Sequence, residues 1–139
     1  ELTMSDEQKP KYFNLMTQGI GYVSRVRELS AKTGEGTFTC LTIAAIRGKP
    51  GDVKYTHFEC TVAGEKTLET ARLLRPFVLG KRKVLVGFTL SDAHAEGFIF
   101  KKGKYEGQPG VCLKGRLIRV PWAKVDGNVV YDERHLATA

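Results

Sequence analysis

The sequence predicts a mainly β protein of one domain that contains a single helix. Two stretches, 84–90 and 111–120, alternate apolar and other residues with the period of two that is typical of a strand with one buried face. Helical spacing occurs in one place only, after residue 64. The 139 residues, 42% of them hydrophobic and 15 of them glycine, suit one turn-rich domain with a real core.

The first predicted strand, 19–29, follows a polar segment at the start of the chain. Alternation along GIGYVSRVREL directs Ile20, Tyr22 and Val26 inward and leaves Arg25 and Arg27 on the other side. The two arginines are candidates for contacts with phosphates. They are equally well explained as solvent-facing residues or as ion-pair partners of the next residue, a glutamate.

The second and third strands are predicted at 37–47 and about 53–63, each after a glycine-rich turn. In the third strand Phe58, Cys60 and Val62 share one face. The opposite face consists of Tyr55, His57, Glu59 and Thr61. One face apolar and one polar is the pattern of a sheet that covers a core.

The period then changes to that of a helix. Leu68, Ala71 and Leu74 recur every three or four residues, and glutamates lie favourably near the helix start. Because Pro76 lacks the N–H that a helix interior requires, we expect the regular helix to end near Arg75.

The fourth and fifth strands are predicted at 84–90 and 111–120, joined by a long basic β-hairpin. The connecting segment reads FIFKKGKYEGQPG, in which aromatic residues and lysines precede a Gly/Pro-rich turn. After the fifth strand, the pair Asp126-Gly127 predicts a two-residue turn and therefore a C-terminal hairpin.

The order β-β-β-α-β-β, with its helix between strands three and four, is that of the OB-fold, a five-stranded barrel that binds oligonucleotides and oligosaccharides. An RNA-recognition sheet would require the order βαββαβ, and an SH3-like barrel lacks so regular a helix. We expect a flexible N-terminal segment at 1–11, the OB-fold domain at 12–132 and a flexible C-terminal tail at 133–139.

Basic charge is concentrated in residues 72–124, which hold 12 Lys and Arg against 3 Asp and Glu, whereas the whole chain has a net charge of +7. Cations that follow phosphates and rings that stack on unpaired bases are what single-stranded nucleic acid requires. The candidate residues from this region are Phe98, Phe100, Lys101, Lys102, Lys104, Tyr105, Lys114 and Arg116. The alternative is a solvated lysine-rich loop whose aromatic residues belong to the core.

Residues 19–120 distantly resemble the bacterial single-stranded-DNA-binding protein family. The resemblance rests on IGYVSRVREL, TCLTIAAIR and FECTVAGEKTLETARLL followed by LGKRKVLVGFTL. It implies stacking residues at His57 and Tyr55, where that family has a tryptophan, and at the arm aromatics Phe98, Phe100 and Tyr105. The chain ends at YDERHLATA without that family's acidic tail, so recruitment of partners through such a tail is not expected.

A more specific resemblance covers about residues 11–131. YFNLMTQGIGYVSRVRE, KRKVLVGF, GQPGVCLKGRL and WAKVDGNVVY are similar to a family of replication-type proteins carried on bacterial integrative and conjugative elements, of uncharacterised activity. This resemblance implies a role in replication or transfer of a mobile genetic element.

Two other classes of function remain open at this point. A protein-interaction module would dock an acidic partner through the same basic face. A metal-dependent nuclease would use Asp92, His94 and Glu96, which share a face at i, i+2 and i+4. The sequence contains no Gly-rich phosphate loop, nucleophile elbow or HExxH motif, so we predict a binding protein and not an enzyme.

The remaining expectations concern the cellular setting. The three cysteines, Cys40, Cys60 and Cys112, form no CxxC pair, so we expect no zinc site and three buried, reduced thiols in the cytoplasm. No run of 18 apolar residues occurs, so no membrane span is expected, and nothing calls for a cofactor. The expected partner is single-stranded DNA, or RNA. Because single barrels of this kind often pair strands across subunits, we expect a homo-oligomer, a dimer or a tetramer.

Overall fold

A computed structural model describes residues 13–31, 34 and 36–134. Within these residues the elements are β1 (Met16–Ser30), β2 (Thr37–Lys49), β3 (Asp52–Val62), α1 (Glu65–Leu79), β4 (Val84–Ile99), β5 (Pro109–Arg119), β6 (Trp122–Val125) and β7 (Asn128–Asp132). The predicted class, mainly β with a helix between the third and fourth strands, is confirmed. The predicted flexible ends, 1–11 and most of 133–139, lie outside the described residues.

The strands form one sheet that closes on itself. Their order is β1-β2-β3-β5-β4-β6-β7, and an additional pairing joins β1 to β4, so the first five strands make a ring. β3 and β5 are parallel, and the other pairs are antiparallel. This is the topology of the OB-fold, and the β6–β7 hairpin extends it from the edge of β4.

The interior of the ring is apolar. Leu41, Ile43, Val86, Leu90 and Leu117 are each at most 1% exposed. One side of α1 covers the barrel with Ala71 and Leu74, which are also buried, and the Thr67 hydroxyl donates to the Ile118 carbonyl oxygen at 3.0 Å.

The helix is longer than the sequence predicts. It continues through Pro76 to Leu79, although we expected it to end near Arg75. Proline removes a single N–H, and here that loss falls in the last turn. The carbonyl of Pro76 still accepts a bond from the Gly80 N–H at 3.0 Å, and Arg82 N–H donates to Phe77. The turn is therefore stabilised from its C-terminal side.

The inward residues of β1 also differ from the prediction. Val26 is buried, as expected, but Ile20 is 46% exposed, and Val23 is buried in its place at 6% exposure. The pairing with β2 shifts between Ser24 and Arg27, and Arg25 has a φ of 55°. One extra residue in this β-bulge reverses which side chains face the core.

β4 passes from the barrel into a free-standing arm. Val84, Val86, Phe88 and Leu90 are buried, as the alternation predicts. A second bulge follows at Asp92, whose φ is 58°. The pairing with β1 ends one residue before it, and the described part of β4 beyond it pairs with β5 alone, up to residues 99 and 109. The arm predicted between the fourth and fifth strands is therefore a two-stranded ribbon.

The C-terminal hairpin turns at Asp126 and Gly127, both of which have positive φ, as in a type I′ turn. The Asp126 carboxylate pairs with Arg82 and accepts the Lys83 backbone N–H at 3.1 Å. The hydrogen bond from Arg82 is the main cause that lowers the pKa of Asp126. This contact ties the hairpin to the chain just before β4. Among the described residues, no helix has the length and apolarity to cross a membrane.

The three cysteines are free. Cys60 is 1% exposed and its thiol pKa is raised to about 12, chiefly by burial. Cys40 and Cys112 are only half-buried, so the expectation of three buried thiols is wrong for these two. Both lie on strand faces that turn away from the core, whereas Cys60 faces the interior.

Candidate nucleic-acid interface

The tip of the arm carries an aromatic cluster, which we define as Phe98, Phe100 and Tyr105. The ring centroids of Phe98 and Phe100 are 4.9 Å apart, and those of Phe100 and Tyr105 are 5.7 Å apart. None of the three belongs to the hydrophobic core. Phe98 is 41% exposed and Tyr105 is 49% exposed. The rings therefore pack on one another and keep surface available for a ligand.

Local backbone geometry brings the cluster together. Gly103 and Gly107 have positive φ, and the Gly107 N–H donates to the Phe100 carbonyl oxygen at 2.8 Å. The chain thereby folds back at the tip. Alternation along a straight strand would place Tyr105 on the face opposite the two phenylalanines, but this turn brings its ring against Phe100.

A glycine on the neighbouring strand forms the floor of the cluster. Gly110 pairs with Phe98 across the arm. A Cβ at this position would lie 2.6 Å from Phe98 Cζ and 2.8 Å from Phe100 Cε2, closer than such atoms ever approach. Both rings can therefore approach the backbone of β5 this closely because residue 110 has no side chain, and they meet each other edge to face, at 74°.

Three lysines lie between the phenylalanines and the tyrosine of the tip. Lys101, Lys102 and Lys104 are exposed, and no ion pair joins them to any described residue. The Lys104 ammonium lies 5.5 Å from the Tyr105 ring centroid. Positive charge that is not already neutralised is thus placed beside exposed aromatic surface.

The outer face of the barrel, which we define as the side of β2, β3 and β5 turned away from the core, carries further candidates. Tyr55 is 44% exposed and lies 6.5 Å from Tyr22, measured between ring centroids. His57 is exposed on the same strand face and pairs with Ala44 of β2. These residues lie on the barrel itself, separate from the aromatic cluster of the arm.

Two of the candidate cations on this side are engaged with carboxylates. Arg27 Nη2 lies 3.4 Å from Glu59 Oε1, and Lys114 Nζ lies 3.0 Å from Glu96 Oε1. The bond to Glu96 raises the pKa of Lys114. The Lys114–Glu96 pair is exposed, and such pairs are worth roughly 0–1 kcal/mol. A phosphate could therefore replace the Glu96 carboxylate at small cost, whereas Glu59 is half-buried and also accepts a hydrogen bond from the Thr42 hydroxyl at 3.0 Å.

Arg25 and Arg116 have no ion pair with any residue that the structure describes. Arg25 is exposed in the bulge of β1. Arg116 lies on the outer face, between Thr61 of β3 and Ser91 of β4. Arg116 extends the row of cations from the arm onto the barrel, and Arg25 lies on a different strand.

The possible metal cluster has another arrangement. His94 Nε2 lies 3.0 Å from Glu96, and Nδ1 lies 2.7 Å from the Asp92 carbonyl oxygen. The bond with the Asp92 carbonyl and then that with Glu96 raise the pKa of His94. Across the described residues no group of three or more His, Cys, Asp and Glu side chains is arranged to hold a metal ion. Both ring nitrogens are engaged, so the geometry gives the nuclease hypothesis no support.

The sequence analysis did not identify three residues that contact the rings and cations of the candidate interface. Gly110 was treated as part of a turn, although counting back from the hairpin tip would have placed it opposite Phe98. The ion pairs that Glu59 and Glu96 form with Arg27 and Lys114 were not expected, because the partners come from other strands. Cross-strand register was the information needed in each case.

Comparison with known proteins gives one match to a family. A family model described as "Protein of unknown function (DUF3577)" matches residues 6–138. No curated protein matches the sequence significantly.

Among solved structures, the chain is similar to a Plasmodium falciparum single-stranded-DNA-binding protein in complex with single-stranded DNA. The identity is 14%, the TM-score is 0.46, and the alignment covers 88% of this chain and 99% of that one. It is also similar to the mitochondrial single-stranded-DNA-binding protein Rim1 of S. cerevisiae, with 12% identity, a TM-score of 0.43, and coverage of 82% and 97%. These likenesses are distant, so function has to be derived from the chain's own surface.

Proposed function

The chain belongs to the DUF3577 family of proteins of unknown function, and we propose that it binds single-stranded DNA, largely without sequence preference, through the arm and the outer face. One observation supports this above all others: exposed aromatic surface and unpaired lysines lie together at the tip of a ribbon that stands free of the barrel. Rings that served only the fold would be covered by the core, and here they are not.

The chemistry of the tip matches an unpaired strand better than a duplex. Bases of a single strand offer their flat faces, and stacking one on an aromatic side chain is worth roughly 1–3 kcal/mol. In a duplex those faces are stacked on one another and are hidden from the rings of Phe98 and Tyr105. Lysine ammonium groups attract phosphates without reading the base edges. The expected binding is therefore tolerant of sequence.

Two finer parts of the proposal are the cellular process in which the protein acts and its oligomeric state. The sequence resemblance favours replication or transfer of a mobile genetic element as the process. A homo-oligomer, a dimer or tetramer, is supported by the exposed Leu15, Met16, Ile99 and Val111, which are 52–70% accessible in the single chain. RNA presents the same bases and phosphates, so the choice between DNA and RNA is part of the test.

The test is a titration of labelled oligo-dT, oligo-U and duplex DNA, followed by fluorescence anisotropy at several salt concentrations. If the three arm lysines each neutralise one phosphate, K101A/K102A/K104A flattens the plot of log K against log salt by roughly 2 units, at about 0.7 per contact on a single strand. The charge-matched control is K54A/K66A/K83A, which removes three exposed lysines outside the arm, from β3, α1 and the segment before β4.

An unchanged salt slope in the arm variant, or an equal change in the control, would contradict a role for the arm. Failure of the wild type to bind any of these nucleic acids would refute the proposed function. The latter result would favour the docking of an acidic protein partner through the same surface.

A further inference from the structure

A pocket lies at the foot of the arm, where β1 begins and β4 bulges. Its volume is about 300 Å³, and it is lined by Phe13, Asn14, Ser91, Asp92 and Arg116. This is the lower end of the range of small-ligand pockets, ~300–1,000 Å³. The Asp92 N–H donates to the Leu15 carbonyl oxygen at 3.1 Å, so the bulge holds the segment before β1 against the pocket.

The unpartnered hydroxyl of Ser91 is the first observation that points to a ligand in the pocket. Its side chain is 7% exposed, and its hydroxyl oxygen is buried without a hydrogen-bond partner among the described residues. An unsatisfied buried hydroxyl costs free energy of folding, and such groups are rare in native proteins. The hydroxyl belongs to a residue that lines the pocket, which is where a ligand would satisfy it.

Arg116 and Phe13 supply two further kinds of contact. The Arg116 guanidinium has no ion pair with any described residue, although Asp92 lines the same pocket. Phe13 is fully exposed, at 103% of its reference area. The pocket therefore combines a cation, a buried hydroxyl and an uncovered aromatic ring.

We propose that this pocket is a nucleotide subsite, which takes one base of the bound strand on the Phe13 ring and the adjoining phosphate on Arg116. The Ser91 hydroxyl donates to an oxygen of the same phosphate. A nucleotide joins an anion that is rich in acceptors to a flat face, and so it satisfies all three groups at once. The inference rests on the proposed function and adds a second contact region to it, at the barrel end of the arm.

Asp92 gives the subsite an electrostatic signature. Asp92 lines the pocket, and its carboxylate lies 3.9 Å from His94 Nδ1 at the pocket's edge, so its negative charge near the phosphate position opposes phosphate binding. The D92N variant removes that charge and keeps the bulge, because asparagine tolerates the positive φ of this position. The backbone carbonyl that binds His94 is also retained. Oligonucleotide affinity should therefore rise in D92N.

The experiment measures oligo-dT affinity and salt dependence for the F13A, S91A, R116A and D92N variants of the full chain. We expect F13A to weaken binding by ~5- to 150-fold, the equivalent of one lost stack. R116A should flatten the salt plot by about 0.7 unit, and S91A should weaken binding several-fold without lowering thermal stability. R119A is the matched control, since Arg119 lies on the same strand but pairs with Glu133.

The outcomes separate the two proposals. If F13A and R116A bind like the wild type while K101A/K102A/K104A loses affinity, the subsite is wrong and the proposed function stands. If R119A changes binding as much as R116A does, the effect is general charge and the subsite is again wrong. If wild-type protein does not bind oligo-dT at all, both proposals are refuted. A fall in affinity for D92N would also contradict the placement of the phosphate.

Discussion

Replacing Gly110 with alanine tests whether the aromatic cluster contacts DNA. The new Cβ would meet Phe98 Cζ at 2.6 Å and Phe100 Cε2 at 2.8 Å. Carbon atoms in favourable contact are about 3.5–4.0 Å apart, so the two rings have to move by roughly 1 Å. The atoms in question are the far ends of side chains outside the core. The rings therefore move while the barrel stays folded.

The expected consequence is a selective loss of affinity. A displaced ring loses the parallel contact with its base, and one stack is worth ~1–3 kcal/mol. Since 1.4 kcal/mol is a factor of ten, we expect G110A to bind oligo-dT roughly 5- to 150-fold more weakly. The melting temperature should change little. Fluorescence anisotropy and thermal unfolding on the same preparation measure the two quantities.

Gly97 provides the matched control on the facing strand of the same ribbon. A Cβ there would meet nothing closer than the Gly110 carbonyl oxygen, at 3.9 Å. Gly97→Ala thus makes the same change in the unfolded chain without disturbing the rings. If G110A binds like the wild type, the cluster is not a stacking surface. If G97A loses as much affinity as G110A, flexibility of the arm and not the rings controls binding.

Two further predictions concern stability and reactivity. A thiol reagent should modify the half-buried Cys40 and Cys112 in the native protein but leave Cys60 unmodified until denaturant is added. The reason is that burial raises the pKa of the Cys60 thiol to about 12. Equal rates of modification for all three cysteines in the native protein would contradict this. Arg82 lowers the pKa of Asp126, so the stability that the pair contributes is present above the ordinary carboxyl pKa of about 3.9 and is lost as the pH falls below it. D126N should therefore show a shallower decline of melting temperature in acid than the wild type, and parallel curves would refute this.

The architecture was predictable wherever one physical signal dominated. The strict alternation of Val84, Val86, Phe88 and Leu90 placed β4 and identified its buried face. The change from a period of two to helical spacing after residue 64 located the helix. Together these signals fix the order of elements, and the OB-fold follows from that order.

Which side chains of β1 face the core was not predictable, because that depends on one extra residue in the β-bulge, which has no partner in β2. Alternation alone cannot show that Arg25 occupies a bulge, and the faces before it were therefore reversed. The helix end predicted from Pro76 was wrong for a similar reason. The sequence shows that it lacks an N–H but does not show that Gly80 and Arg82 stabilise the same turn.

In the candidate interface, composition predicted the region but not its contacts. The density of lysines and rings singled out the arm, where Phe98 and Tyr105 are exposed, and the binding role of the arm stays a prediction. Whether a cation is free depends on which carboxylate lies across the sheet. Lys114 was expected to be available and is paired with Glu96, and only strand register reveals that.

The bulge at Asp92 divides β4 into two parts with different structural roles. Residues before it fill the core, and residues after it belong to a ribbon that contributes nothing to the hydrophobic core. Because side chains alternate with a period of two, the ribbon can be lengthened or shortened by two residues in each strand without exchanging its faces, which moves its tip by about 6.6–6.8 Å per step. The reach of the arm is therefore a dimension that sequence variation or protein design can adjust in fixed increments, while the barrel remains as it is.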